Sequence, residues 1–157
     1  MNFTHPAHQE MILALLQNDV EFILIGGYAV IYHGYVRTTG DMDVWLNPSD
    51  DNKQKLLKVF TLLDFDPEGI KIIEDMDFQD VVVFHIGIEP ERIDFLSKVE
   101  GLNFEEAFRQ KEILHMESYA IPFLRLDDLI ANKLLVNRNK DKADIENLIK
   151  INKLRFK

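Results

Sequence analysis

At 157 residues and 18.3 kDa, with 46% hydrophobic and 29% charged residues, the chain has enough apolar material for one core and is too hydrophobic for wholesale disorder. A net charge of -9 argues against a general duplex-DNA binder, and no apolar run approaches the roughly 20 residues that span a bilayer, so no membrane partner is expected. Cysteine is absent, which excludes disulfide scaffolds, thiol catalysis and cysteine-ligated zinc; with no basic stretch ahead of the first apolar segment, the expected location is cytoplasmic.

Pro6 to Asp19 places Ala7, Met11, Ile12, Leu15 and Leu16 on one helical face, with the proline tolerated in the first turn. Glu21 to Ile25 is a short apolar run of strand type, ended by Gly26-Gly27, and Tyr28 to Tyr35 reads as a short helix stopping near Gly34. Arg37 to Gly40 is turn-like, and Met42 to Leu46 is a strand closed by Asn47-Pro48. Ser49 is a natural N-cap with Asp50 and Asp51 in the first turn, and Leu56, Leu57, Val59, Phe60 and Leu63 continue a helical stripe to about Asp64. The acid-rich run Glu74 to Asp80 reads as a loop or bend. Val81 to Ile88 and Arg92 to Leu96 are strands separated by the turn Glu89-Pro90-Glu91. Phe104 to Gln110 is helical, and Tyr119 to Phe123 is extended, with Pro122 arguing for a sheet edge. Two helices follow, about Asp128 to Val136 and Lys142 to Ile151. The expectation is a single α/β (α+β) domain over residues 1–157. Residues 1–124 hold a small mixed, largely antiparallel sheet flanked by helices, and residues 125–157 form C-terminal helices.

Charge is uneven along this order. From Asn132 to Lys157 eight bases face three acids, a surplus of +5, so the first 131 residues carry -14 of the net -9. An acidic body with a basic end suits a site where carboxylates hold metal ions and cations hold phosphates; a solvated surface with a positive end would look the same.

Three features can carry chemistry. Gly26-Gly27 at a strand-to-helix junction lets backbone N–H groups approach a ligand, although a tight turn alone also calls for glycine. Asp41 and Asp43 enter a strand at positions i and i+2, hence on one face and roughly 6.6 Å apart along the chain, while Met42, Val44 and Leu46 turn to the core. Two like charges side by side in a strand are costly, and bracketing hard cations relieves that cost. Asp94 sits inside the apolar strand Arg92-Ile93-Asp94-Phe95-Leu96, where an unpaired carboxylate is expensive. It is neutralised by Arg92 or a lysine, or it completes a carboxylate triad with Asp41 and Asp43 through antiparallel strand pairing.

A second Asp-x-Asp, Asp75 and Asp77, lies in a polar bend and reads as solvated surface. The five histidines (His5, His8, His33, His85, His115) show no metal-ligand spacing, which weakens a metallohydrolase reading; His5 and His8 read as surface residues and His33 as a helix-end packing residue. On the two C-terminal helices, Leu126, Leu129, Ile130 and Leu134 form one stripe and Ile145, Leu148, Ile149 and Ile151 another, with Lys133, Asp141 and Asp144 falling inward. Lys133 either reaches a phosphate or bridges to Asp141 or Asp144, and Arg138, Asp141 and Asp144 are given structural roles. Arg37 pairs either with a phosphate or with Asp41 or Asp43.

The ordered series Gly26-Gly27-Tyr28-Ala29, His33-Gly34 and Arg37-Thr38-Thr39-Gly40-Asp41-Met42-Asp43-Val44 resembles the opening of the DNA-polymerase-beta-type nucleotidyltransferases. It is closest to the small bacterial branch that includes abortive-infection-type toxins. The stretches Ser97 to Phe108 and Leu126 to Asp144 are similar to that branch's second half, so the resemblance covers about Phe22 to Leu148. The resemblance implies a nucleotidyltransferase-like fold and transfer of a nucleoside monophosphate from a nucleoside triphosphate, with release of pyrophosphate. It further implies two Mg2+ ions held by Asp41, Asp43 and Asp94, and triphosphate contact by Gly26 and Gly27; Arg37, Thr39 and Lys133 are added, from the residues themselves, as candidate nucleotide-binding residues. Many relatives carry Gly-Ser where this chain has Gly26-Gly27, so backbone amides or Thr38 and Thr39 must replace the serine contact. The expected acceptor is an unidentified hydroxyl on a small molecule, a protein or a tRNA, and the chain is a candidate toxin with an antitoxin protein partner. The alternative is a catalytically degenerate domain that binds a nucleotide or a partner.

Overall fold

The computed structural model describes residues 5–155, with side chains described as far as Lys153. The reading of the extreme N-terminus at Met1 to Thr4, and the terminal bases Arg155 and Lys157, therefore lie outside the described side chains.

Helix α1 (Pro6–Gln17) begins where the His5 ring accepts a hydrogen bond from the Ala7 N–H at 3.1 Å, and it buries Met11, Ile12 and Leu15. Strand β1 (Phe22–Ile25) is buried along its whole length and passes directly into α2 (Gly26–Tyr32). Strand β2 (Asp41–Leu46) buries Met42, Val44 and Leu46 and turns Asp41 and Asp43 to the opposite face, as a period of two requires. Helix α3 (Asp50–Leu62) is capped by Ser49, whose Oγ accepts from the Asn52 N–H at 3.2 Å. Then come α4 (Pro67–Glu74), β3 (Val83–Ile86), β4 (Arg92–Leu96), α5 (Phe104–Arg109), β5 (Glu112–Met116), β6 (Tyr119–Phe123), α6 (Leu126–Val136) and α7 (Asn139–Arg155).

The strands make one mixed sheet in the order β3-β4-β2-β1-β6-β5. The β3/β4, β1/β2 and β5/β6 pairs are antiparallel, and β2/β4 and β1/β6 are parallel. Under the face that carries Met42, Val44 and Phe95, a ring cluster forms from Phe60, Phe84 and Phe95, with Phe84 and Phe95 stacked at 5.2 Å. Each fully buried ring of this kind contributes roughly 2–3 kcal/mol of apolar transfer. No helix among the described residues is long and apolar enough to cross a membrane.

Several local expectations are corrected. Asp94 reaches its neighbours through a parallel pairing of β4 with β2, not an antiparallel one. Pro122 lies on β6, an interior strand, because the β1 pairing begins only at Phe123 and leaves the proline a single strand neighbour, β5. Helix α4 buries none of its residues, and β5 is the outer strand on that side. His8 is buried rather than on the surface, at 1% exposure. Leu134 and Ile149 are 60% and 38% exposed, because the inner surfaces of α6 and α7 are taken by Leu129, Lys133, Asp141, Asp144 and Leu148.

Candidate functional site

The parallel register of β2 on β4 sets Asp43 beside Asp94 and Asp41 beside Arg92. Since Asp41 and Asp43 share one face of β2, the three carboxylates meet there, and oxygens from all three lie within 4.8 Å of one another. Arg92 Nε donates to Asp94 Oδ1 at 3.0 Å, so one of the three negative charges has a local cation. The other two do not escape the crowding. Burial lifts the Asp43 carboxyl to about 7, and the charges of Asp41 and Asp94 push it the same way. Asp41 is raised by burial and by its contact with Asp94, while Lys140 and the Thr39 hydroxyl oppose the shift. A hard divalent cation would relieve this cost, and an all-oxygen carboxylate set is the donor chemistry magnesium takes. The residues present fit that ion.

The glycine pair is shaped by the same carboxylates. Gly26 has φ +62°, and a Cβ on it would lie 2.0 Å from Asp43 Oδ2. No side chain fits there while Asp43 keeps its place. A Cβ at Gly27 would lie 2.5 Å from Thr39 Oγ1, so the threonine hydroxyl occupies the space a side chain at 27 would enter. Thr39 Oγ1 donates to the Asp41 carbonyl at 3.0 Å and sits 3.4 Å from Asp41 Oδ1, which ties the loop to the first carboxylate.

Arg37 pairs with neither Asp41 nor Asp43. Its Nε and Nη2 donate to both oxygens of Asp144 at 2.8 and 3.0 Å, and Nη1 donates to the Thr38 carbonyl at 2.8 Å. Lys133 Nζ donates to Asp141 Oδ1 at 2.9 Å and to Asp144 Oδ2 at 3.0 Å. Arg138 completes the cluster through its backbone N–H and its side chain, with Nε 2.7 Å from Asp141 Oδ2. Burial would raise Asp141, but hydrogen bonds from Arg138 and Lys133 outweigh it and hold the carboxyl at about 2. Three cations against two anions lock α6 to α7 and both to the loop that precedes β2. Arg138, Asp141 and Asp144 hold the structural positions expected of them; Lys133 sits on the cleft wall with two of its three donors committed.

The three carboxylates, the glycine pair, Arg37, Thr39, Lys133 and Arg138 line a cleft of about 460 Å³, with Asp141 and Asp144 buried behind it. Asp41, Asp43 and Asp94 share it with Lys98, Lys140 and Arg138, of which Lys98 and Lys140 are not singled out from the sequence. Lys98 lies just past the end of β4, in the loop that follows Leu96, and no periodicity marks it. Lys140 gave no signal beyond its place in a basic run. Glu89 also lines the cleft, where its carboxylate would meet a Cβ on Gly40 at 2.7–3.0 Å.

Two histidines support this frame without entering the cleft. His8 places Nδ1 2.5 Å from the Tyr28 hydroxyl and Nε2 3.1 Å from the Arg92 carbonyl, tying α1 to α2 and to the strand that carries Asp94. Burial lowers its pKa, so the ring is held neutral. His33 ends α2 and meets the Leu124 carbonyl at 2.7 Å, in keeping with a packing role. Asp75 and Asp77 are exposed, as expected of the second Asp-x-Asp.

The model of a family described as nucleotidyltransferase of unknown function (DUF6036) matches residues 7–157. No curated protein matches the chain.

Proposed function

We propose that this chain, which belongs to that nucleotidyltransferase family, transfers a nucleoside monophosphate from a nucleoside triphosphate to a hydroxyl acceptor and releases pyrophosphate. The observation that carries the reading is the meeting of Asp41, Asp43 and Asp94 beside Gly26-Gly27, in a cleft that Lys98, Lys133, Arg138 and Lys140 also line. Asp41, Asp43 and Asp94 would hold two magnesium ions, which when bound acidify the acceptor hydroxyl and neutralise the triphosphate and the departing pyrophosphate. The Gly26 and Gly27 backbone gives the phosphates close approach. Thr39 offers a hydroxyl where side-chain space at 27 is closed. Lys140 and Lys98, which have no ion-pair partner among the described residues, provide positive charge, while Arg37 and Lys133 act mainly by holding the cleft lining in place. In the transfer, the acceptor oxygen bonds to the α-phosphorus as the bond from that phosphorus to the bridging oxygen breaks. Pyrophosphate leaves with the electron pair, and the hydroxyl proton passes to Asp94. The resemblance to the DNA-polymerase-beta-type superfamily and its toxin branch supports a small molecule, a protein hydroxyl or a tRNA end as acceptor, and an antitoxin as partner.

The test is turnover of α-labelled nucleoside triphosphates with magnesium and a lysate of candidate acceptors. Label should move to an acceptor with the wild type and not with Asp43→Ala. If the wild type binds triphosphate and magnesium yet never transfers label, the chain is a nucleotide-binding module instead.

A further inference from the structure

Away from the carboxylates, one edge of the sheet is left open in a way the other is not. β3 is an outermost strand. Ser97 N–H bonds the Val82 carbonyl at 3.0 Å, which fixes the antiparallel alternation with β4. Val82, Phe84 and Ile86 turn their backbone groups toward β4, and Val83 and His85 turn theirs off the edge. Residues 81–88 read VVVFHIGI, with no lysine, proline or acid, the devices by which edge strands are shielded. Val81 and Val83 are 73% and 60% exposed. The opposite edge, β5, is flanked by Lys111, Glu112 and Glu117.

The underside of this edge has a receptacle. Between α4 and β3 runs a groove of about 350 Å³, lined by Ile72, Ile73 and Met76 on one side and Phe84 and Ile86 on the other. Ile72 is 62% exposed within it. An added strand would alternate its side chains, one set entering this groove and the next lying beside Val83 and His85.

Charge selects the occupant. From Glu74 to Glu91 there are six exposed carboxylates and no lysine or arginine. Lys71 bridges Asp75 at 3.1 Å, His5 lies 3.6 Å from Glu91 and Glu89 turns into the cleft towards Gly40, while Asp77 and Asp80 have no ion-pair partner among the described residues. A second copy pairing through the same edge would set these acids against their own kind. We infer that the β3 edge docks an extended segment of a partner polypeptide, apolar at alternate positions and flanked by lysine or arginine. His85 pairs with Asp94, so the docked strand would run two strand spacings, about 10 Å, from the strand carrying that carboxylate. The inference stands without the transfer chemistry.

Two labelled peptides, KKVTVTVKK and EEVTVTVEE, test it against the full chain by fluorescence anisotropy and hydrogen exchange. The basic-flanked peptide should bind, protect the amides of Val83 and His85, and weaken with added salt. Val83→Pro removes an N–H that faces off the edge and leaves the β4 ladder intact, so affinity should fall at least about tenfold with Tm unchanged. Ile72→Lys, at an exposed position, should do the same. Absence of binding, equal binding of the glutamate-flanked peptide, protection outside residues 81–88, or full affinity in both variants would overturn the inference. So would self-association of the chain with protection of β3 in sedimentation and exchange experiments, since that outcome makes a second copy the occupant.

Discussion

Gly26 and Asp43 share one space: the Cβ that any other residue would place at 26 falls 2.0 Å from Asp43 Oδ2, and Gly26 holds φ +62°. The carboxylate can approach this stretch of backbone only because residue 26 has no side chain. Gly26→Ala therefore carries two costs, about 1–2 kcal/mol for a left-handed alanine and the displacement of Asp43. The expected result is a lowered Tm together with loss of stabilisation by magnesium. Gly69, where a Cβ would meet nothing within 4 Å, is the control; Gly69→Ala should leave magnesium binding intact. A Gly26→Ala protein that retains full magnesium binding would refute the shared-space argument.

Asp43 gives a pH signature. Its carboxyl stands at about 7 in the folded chain, above the ordinary 3.8, so the folded state holds that proton more tightly than the unfolded state does. The stabilisation is present at low pH and is lost as pH rises from about 4 through 7, with a slope of up to ~1.4 kcal/mol per pH unit. His8 works against it: burial lowers its pKa from 6.5, so stability drains as pH falls below that value. The two slopes partly cancel in the wild type, and the informative quantity is the difference between variant and wild type. In magnesium-free buffer, Asp43→Asn should be more stable than the wild type at pH 8, with an advantage that shrinks steadily as pH falls towards about 4. Thermal melts across this range decide it. A difference that does not vary with pH excludes the charge-crowding account of Asp43.

Lys133 is 4% exposed and faces two carboxylates that are themselves almost completely inaccessible. Arg138 and Arg37 still compensate Asp141 and Asp144 once the lysine is gone, so the loss is that of its two charged hydrogen bonds, about 2–3 kcal/mol. Lys133→Met should therefore lower Tm sharply and release α6 from α7 in hydrogen exchange. The double variant Lys133→Met with Asp144→Asn should recover part of the loss. If Lys133→Met instead weakens triphosphate binding with Tm unchanged, the lysine is a nucleotide contact and its bridges to Asp141 and Asp144 are incidental.

Much of the site could be read before the fold was known, for a local reason. Asp41 and Asp43 alternate with Met42 and Val44, and that period of two declares both a strand and a polar face without reference to any partner. Asp94 was conspicuous because it interrupts an apolar run. The parallel pairing of β2 with β4 was not legible, since register between strands separated by about 50 residues depends on what α3, α4 and β3 do between them. Helix α4 spans only 8 residues and fully buries none, so the apolar side formed by Ile70 and Ile73 is too short to stand out in the sequence. Leu134 was expected inside because apolar stripes usually face the core; here the ion cluster around Lys133 takes the inner face and Leu134, one residue further round the helix, is rotated outward. His8 was read as surface because its partners, Tyr28 and the Arg92 carbonyl, lie 20 and 84 residues away in the chain.

His8 leads to the last prediction. It touches no group in the cleft, yet it fastens the backbone of Arg92, two residues before Asp94, to α1 and to the Tyr28 hydroxyl at the start of α2. Replacing it with alanine removes a buried ring together with its bonds to the Tyr28 hydroxyl and the Arg92 carbonyl, so a loss of roughly 2–4 kcal/mol is expected. The more telling variant is His8→Gln, which can keep one of the two hydrogen bonds. It should cost less stability, and it should remove the His8 part of the decline below pH 6.5, leaving the Asp43 slope alone in the melts. Because the strand carrying Asp94 stays anchored in His8→Gln, its magnesium affinity at pH 8 should remain close to wild type, whereas His8→Ala should weaken it. Equal magnesium affinity in both variants would show that β4 holds Asp94 in place through its pairing with β2 alone.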